Sequence, residues 1–180
     1  MTMLRLFAAL DIPEDIAEAL LARAEGIPGA QWRPPEALHL TLRFFGELDP
    51  HQADDLDLEL AAIRQSPLEI RLQGVGQFGA GDHMHALWAG VAENDALRTL
   101  AQRCDKAARM VGLAPDTRLY TPHVTLAYLK RPDPIKVAEW LSRHALLSEP
   151  VWRAASFGLY SSQRGHDGPA YDLEREYWLK

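Results

Sequence analysis

The sequence predicts an α+β fold with mainly antiparallel sheets, on three observations. Short β-branched and aromatic runs with period-two alternation are interleaved with segments whose apolar residues recur every three to four positions. Several strand candidates are separated only by glycine-rich or polar turns, so they read as hairpins, whereas a doubly wound parallel sheet needs regular strand–helix alternation throughout. No dinucleotide or phosphate-loop glycine fingerprint is present: Gly74, Gly76, Gly79 and Gly81 have the wrong spacing and do not open a helix.

In order, Arg5 to Leu10 reads as a first strand. A helix follows with Pro13 at its first position, Glu14 and Asp15 in its first turn, Ile16, Leu20 and Leu21 on its apolar face, and Gly26 near its end. Leu38 to Phe45 reads as a strand. A second helix runs from about His51 to Gln65, with Ala53, Leu56, Leu60 and Ile63 inward and Pro67 closing it. Leu68 to Val75 and His83 to Val91 form a hairpin around the FGAGD turn. Asn94 caps a third helix that continues to Val111, where Gly112 supplies the stop. Pro122 to Leu129 is a further strand, and Asp133 with Pro134 opens a short helix ending near Arg143. Two last strands, Val151 to Ser161 and Ala170 to Leu179, flank the polar SSQRGHDGP turn.

The chain has 180 residues, 47% of them hydrophobic and 24% charged, which suits one compact domain over residues 1–180. Its formal net charge of −6 disfavours extended grip on nucleic acid, although a few local cations can still hold a terminal phosphate. No apolar run is long enough to cross a bilayer, and the opening residues reach Asp11 too soon for a secretory signal, so a cytoplasmic protein is expected. The single cysteine, Cys104, excludes an internal disulfide framework, and its helical neighbours Leu97, Leu100, Ala101 and Ala108 make it a core residue.

The chemistry lies in an internal echo. His-Leu-Thr-Leu at 39 to 42 recurs as His-Val-Thr-Leu at 123 to 126, each after a proline-bearing loop. Residues two apart on a strand share a face, so each segment presents one imidazole and one hydroxyl together. A lone His-x-Thr reads as an ordinary structural pair; packing alone does not call for imidazoles at both copies. Two imidazoles from separate strands suit the opening of a five-membered cyclic phosphate by water. That reaction needs a base on the water and an acid on the departing ribose oxygen, on opposite sides of phosphorus. Histidine fits either role near neutral pH, and threonine hydroxyls can donate to the non-bridging oxygens.

With these motifs the chain resembles the two-histidine phosphoesterases, and within them the RNA 2′,3′-cyclic phosphodiesterases also described as 2′-5′ RNA ligases. The likeness covers the opening RLFAALDIP, HLTLRFFGE, TPHVTLAYLK, and FGLYSSQ followed by the Tyr171 strand, in that order. It implies two lobes related by approximate twofold symmetry, each an antiparallel sheet with helices, flanking a cleft that holds both motifs. It implies hydrolysis of a terminal 2′,3′-cyclic phosphate to a 2′-phosphate, weak reversible 2′-5′ joining in some members, and no metal or other cofactor. Carried over, His39 is the proton donor to the 3′ oxygen, His123 the proton acceptor from water, and Thr41 and Thr125 hold the phosphate. Since microscopic reversibility exchanges the rings between hydrolysis and ligation, the direction stays open.

One departure concerns charge. Many relatives end the second motif as His-x-Thr-Leu-Ala-Arg, and here that Arg position is Tyr128. On strict strand alternation, Lys130 shares a face with Tyr128, and Arg43 with His39 and Thr41, so either is a candidate cation. Tyr128 and Phe45 are candidates for stacking on the terminal base, with core packing the alternative for Phe45. Trp32 and Arg33 precede the first motif, where rimming the cleft and ordinary surface packing are both open. The expected partners are RNA 3′ ends bearing a cyclic phosphate, or small cyclic nucleotides, and the expected state is a monomer. Three rivals remain: a metallohydrolase using His83 and His85, an RNA-end-binding protein without turnover, and a phosphodiesterase acting on ADP-ribose cyclic phosphate.

Overall fold

The computed structural model describes residues 3–165 and 168–180. It contains β1 (Leu4–Asp11), α1 (Glu14–Leu21), β2 (Gln31–Trp32), β3 (His39–Leu48), α2 (Pro50–Ala61), β4 (Leu68–Ile70), β5 (Leu72–Phe78), β6 (Ala86–Val91), α3 (Asp95–Met110), β7 (His123–Tyr128), α4 (Pro134–His144), β8 (Trp152–Ala154), β9 (Ser156–Gly165) and β10 (Gly168–Trp178). The expected α+β class with antiparallel sheets holds. No helix among the described residues is long and apolar enough to cross a membrane.

The helices begin where their capping chemistry lies. Asp49, Asn94 and Asp133 accept hydrogen bonds from the backbone N–H of Gln52, Leu97 and Ile135, and Pro50 and Pro134 occupy first-turn positions that have no N–H to satisfy. The third helix stops before Gly112, whose φ of +84° places it in the left-handed region. α3 buries Leu97, Leu100, Ala101, Cys104, Ala107 and Ala108, and burial pushes the Cys104 thiol up to about 12, so it stays a packed, protonated side chain.

The main sheet runs β10-β9-β1-β3-β7-β6-β5, with β2 also paired to β7, and its halves meet at β3 and β7. Leu40 opposite Val124, the same position in the two motifs, is their pairing. β2 occupies the other end of that flank of β7, Gln31 opposite Tyr128, so β3 diverges from β7 past the motifs. A single hydrophobic cluster runs behind both halves, from Leu6, Leu40 and Leu97 to Val124, Val137 and Trp140.

Four expectations about strands are corrected. Leu68 to Val75 is two strands: β4 pairs with β8 in a separate sheet and β5 with β6, because the chain changes partner at Arg71 while its inward alternation of Leu68, Ile70 and Leu72 continues. Val151 to Ser161 divides likewise at Ala155, whose carbonyl accepts from the Leu179 N–H. The strand expected from His83 starts only at Ala86, since Gly79 and Gly81 take positive φ and Gly81–His83 forms a 3₁₀ turn. Most of SSQRGHDGP belongs to the paired strands β9 and β10, and His166 and Asp167 lie outside the described residues.

Candidate active site

Both motifs sit at the seam of the sheet halves. Extending the antiparallel register from Leu40 and Val124 by one residue each way sets His39 across from Thr125 and Thr41 across from His123. The four reacting candidates are thus one diagonal quartet on one face, while Leu40 and Val124 point into the core.

Each imidazole is oriented by its own chain. His39 Nδ1 lies 3.1 Å from the Ala37 carbonyl oxygen, and His123 Nδ1 lies 2.7 Å from that of Thr121, two residues upstream in both cases. A carbonyl only accepts, so Nδ1 carries the proton and Nε2 is the nitrogen left for proton transfer. Burial pushes both rings below the ordinary histidine value. At His39 the Ala37 carbonyl and then Asp11, its neighbour across β1, oppose that, whereas Arg33 adds to it; at His123 only the Thr121 carbonyl opposes it.

Aromatic rings wall the quartet. His39 meets Tyr160, Tyr171 and Phe7 edge-to-face at 4.9, 5.1 and 5.7 Å, and His123 meets Phe78 at 4.8 Å and Trp88 at 6.2 Å. Gly76 gives Trp88 its place: a Cβ there would stand 2.2 Å from the indole. Such walls exclude water and offer faces for a nucleobase.

Arg43, Phe45 and Lys130 do not join this face. β3 skips a residue against β1 at Leu42 and again at Phe45, so alternation resets twice. Arg43 therefore points to the helical side, where its Nε donates to Asp105 at 2.9 Å and its terminal nitrogens donate to the carbonyls of Ala114 and Phe44, both at 2.7 Å. Phe45 is packed in the core, and Phe44 takes the cleft position, 5.4 Å from Phe7 and half exposed. β7 skips at the equivalent residue, Leu126, against β6, which returns Tyr128 to the face of Thr125. Lys130 lies beyond the end of β7, exposed in a turn that Arg131 completes with a φ of +45°.

Tyr128 lies at the cleft, 38% exposed, because the bulge at Leu126 moves it off the opposite face that strict alternation from Thr125 gives it. Arg33, for which two readings were open, is only 6% exposed, with its guanidinium 5.1 Å from the Tyr128 ring centre and 5.8 Å from that of Tyr171. Its neighbour Trp32 packs against Trp140. Phe44 and Tyr128 share one signal that periodicity hides: both are aromatic residues five positions after a motif histidine. His83 and His85 stand in and just after the 3₁₀ turn, with His85 Nδ1 3.2 Å from the His83 carbonyl, and no group of three His, Cys, Asp or Glu side chains among the described residues converges to hold a metal.

A family model described as the 2′-5′ RNA ligase superfamily matches residues 12–166. The chain belongs to that superfamily. Its relatives include proteins named RNA 2′,3′-cyclic phosphodiesterase from Methanocaldococcus jannaschii, 29% identical over 97% of this chain and 100% of the relative, and from Thermus thermophilus, 30% identical over 98% and 91%. The crystal structure of E. coli LigT in its apo form superposes with a TM-score of 0.82 at 24% identity, covering 100% of this chain and 99% of that one. The superfamily's fold is therefore present over the whole length.

Proposed function

We propose that the protein hydrolyses the terminal 2′,3′-cyclic phosphate of RNA to a 2′-phosphate; its relatives are named RNA 2′,3′-cyclic phosphodiesterase. The observation that carries this is the diagonal His–Thr quartet whose two rings, each locked by a carbonyl two residues upstream, leave their Nε2 atoms free. His123 takes a proton from water, the water oxygen bonds to phosphorus, the bond to the 3′ oxygen breaks, and His39 delivers a proton to that oxygen. Asp11 beside His39 supports the donor role there, since it favours the charged ring; among the described residues no carboxylate acts so on His123. Thr41 and Thr125 donate to the non-bridging oxygens, and Tyr128 with Phe44 flanks the terminal nucleoside.

Two imidazoles suffice for both proton transfers, so the reaction proceeds without a metal. With the 5′ hydroxyl of a second RNA in place of water, the same base and acid join it to the phosphorus, the bond to the 3′ oxygen again breaks, and the product is a 2′-5′ linkage. The shared offset of motif, bulge and aromatic residue in β3 and β7 supports reading the halves as lobes related by an approximate twofold.

The test is phosphorus NMR of a nucleoside 2′,3′-cyclic phosphate incubated with the protein in excess EDTA. Expected is the 2′-phosphate alone, with His39→Ala and His123→Ala each losing on the order of 10² to 10⁴ in rate. Formation of the 3′-phosphate, or loss of turnover on chelation, refutes the scheme.

A further inference from the structure

Arg33 carries a permanent charge into a nearly closed position. It is 6% exposed, its side chain donates to the Pro169 carbonyl at 3.3 Å and is within hydrogen-bonding reach of the Tyr171 hydroxyl, and no carboxylate among the described residues pairs with it. Buried cations are normally paired, because leaving water is costly without an anion to compensate. The tyrosine rings compensate in part through their π faces. The backbone fixes the root of the side chain too: the Arg33 N–H donates to the Leu126 carbonyl at 2.8 Å, beside Thr125.

Direction completes the case. Tyr171, under the guanidinium, is also 5.1 Å from the His39 ring, and Arg33 is close enough to disfavour a charge on that ring. A cation so placed works against the protonated His39 that the reaction needs, unless an anion comes between them. Arginine presents a planar fork of donors that matches phosphate oxygens in pairs.

We infer that Arg33, clamped between Tyr128 and Tyr171, binds the non-bridging oxygens of the substrate phosphate beside His39. This rests on the cyclic phosphodiesterase reading and extends it. Phosphate bound to Arg33 cancels the repulsion between guanidinium and imidazolium, so the substrate itself helps to protonate its general acid.

The test compares wild type, Arg33→Gln and the double variant Arg33→Gln/Tyr128→Arg, whose new guanidinium starts from the ring that Arg33 covers. Arg33→Gln is expected to lose about 10²-fold in kcat/KM, as when a donor to transition-state charge is removed. Its alkaline pH limb should move upward, because His39 no longer faces a cation. The double variant should regain at least about tenfold, the worth of one charge-assisted hydrogen bond. In the wild type, the Arg33 Nε–H resonance should shift on titration with inorganic phosphate, which needs no variant to fold. Unchanged kinetics and pH limb in Arg33→Gln, or an unmoved resonance, overturns the assignment and leaves the cyclic phosphodiesterase reading standing. Phosphate binding that depends on Arg33 in a protein without turnover sinks that reading and keeps the phosphate site.

Discussion

Replacing Arg43 by methionine separates a structural arginine from a catalytic one. The side chain is 11% exposed, Asp105 is 21% exposed, and the link between them is a 2.9 Å contact joined by two 2.7 Å bonds to the carbonyls of Phe44 and Ala114. Removing one member of a buried pair costs about 3–5 kcal/mol. The low end applies, because Asp105 keeps Arg109 and the Asp116 N–H as partners. Methionine preserves much of the aliphatic packing, so a loss of about 3 kcal/mol is expected. With a urea slope of about 2 kcal/mol per molar, the unfolding midpoint falls by about 1.5 M. The melting temperature falls by about 6–12 °C. Urea titration followed by tryptophan fluorescence reads the first quantity, and kcat/KM on a nucleoside cyclic phosphate below the melting range reads the catalytic effect, which should be small. A large drop in kcat/KM with the urea midpoint unchanged would refute the placement of Arg43 on the helical side of β3.

The proposed hydrolysis needs one charged and one neutral imidazole, and burial holds both rings below the ordinary 6.5. The kcat/KM bell of the free enzyme should therefore peak below pH 6.5 and fall through neutrality; a maximum above pH 7.5 contradicts the burial of the pair. Gly76→Ala should displace Trp88, which a Cβ would approach to 2.2 Å, costing about 1–3 kcal/mol in stability and lowering kcat/KM through His123. Unaltered tryptophan fluorescence and rate in that variant count against it. Phe45→Ala should cost about 3–5 kcal/mol of stability, whereas Phe44→Ala should raise KM with much less effect on the melt. The opposite pattern would reverse the two assignments.

Much of this is legible in the sequence. The capped helix starts at Asp49, Asn94 and Asp133 are local chemistry, and the duplicated His-x-Thr needs only strand alternation to define a face. What failed was alternation carried too far. Bulges at Leu42, Phe45 and Leu126 depend on pairing with β1 and β6, so strict alternation puts Arg43 and Phe45 on the cleft face and Phe44 off it. The division of β4 from β5 is hidden for a related reason, since the change of partner leaves the inward pattern of Leu68, Ile70 and Leu72 intact. Arg33 was ambiguous because its neighbours Tyr128 and Tyr171 come from distant strands.

The carbonyl two residues upstream of each histidine has a consequence for how this site can diversify. An imidazole steered by a remote carboxylate loses its aim when the segment bearing that carboxylate is rewritten. Here each motif carries its own guide, Ala37 for one ring and Thr121 for the other. Walls such as Phe44, Tyr128 and Trp88 are then free to be exchanged for others that admit a different ligand, while the two imidazoles keep their bearing.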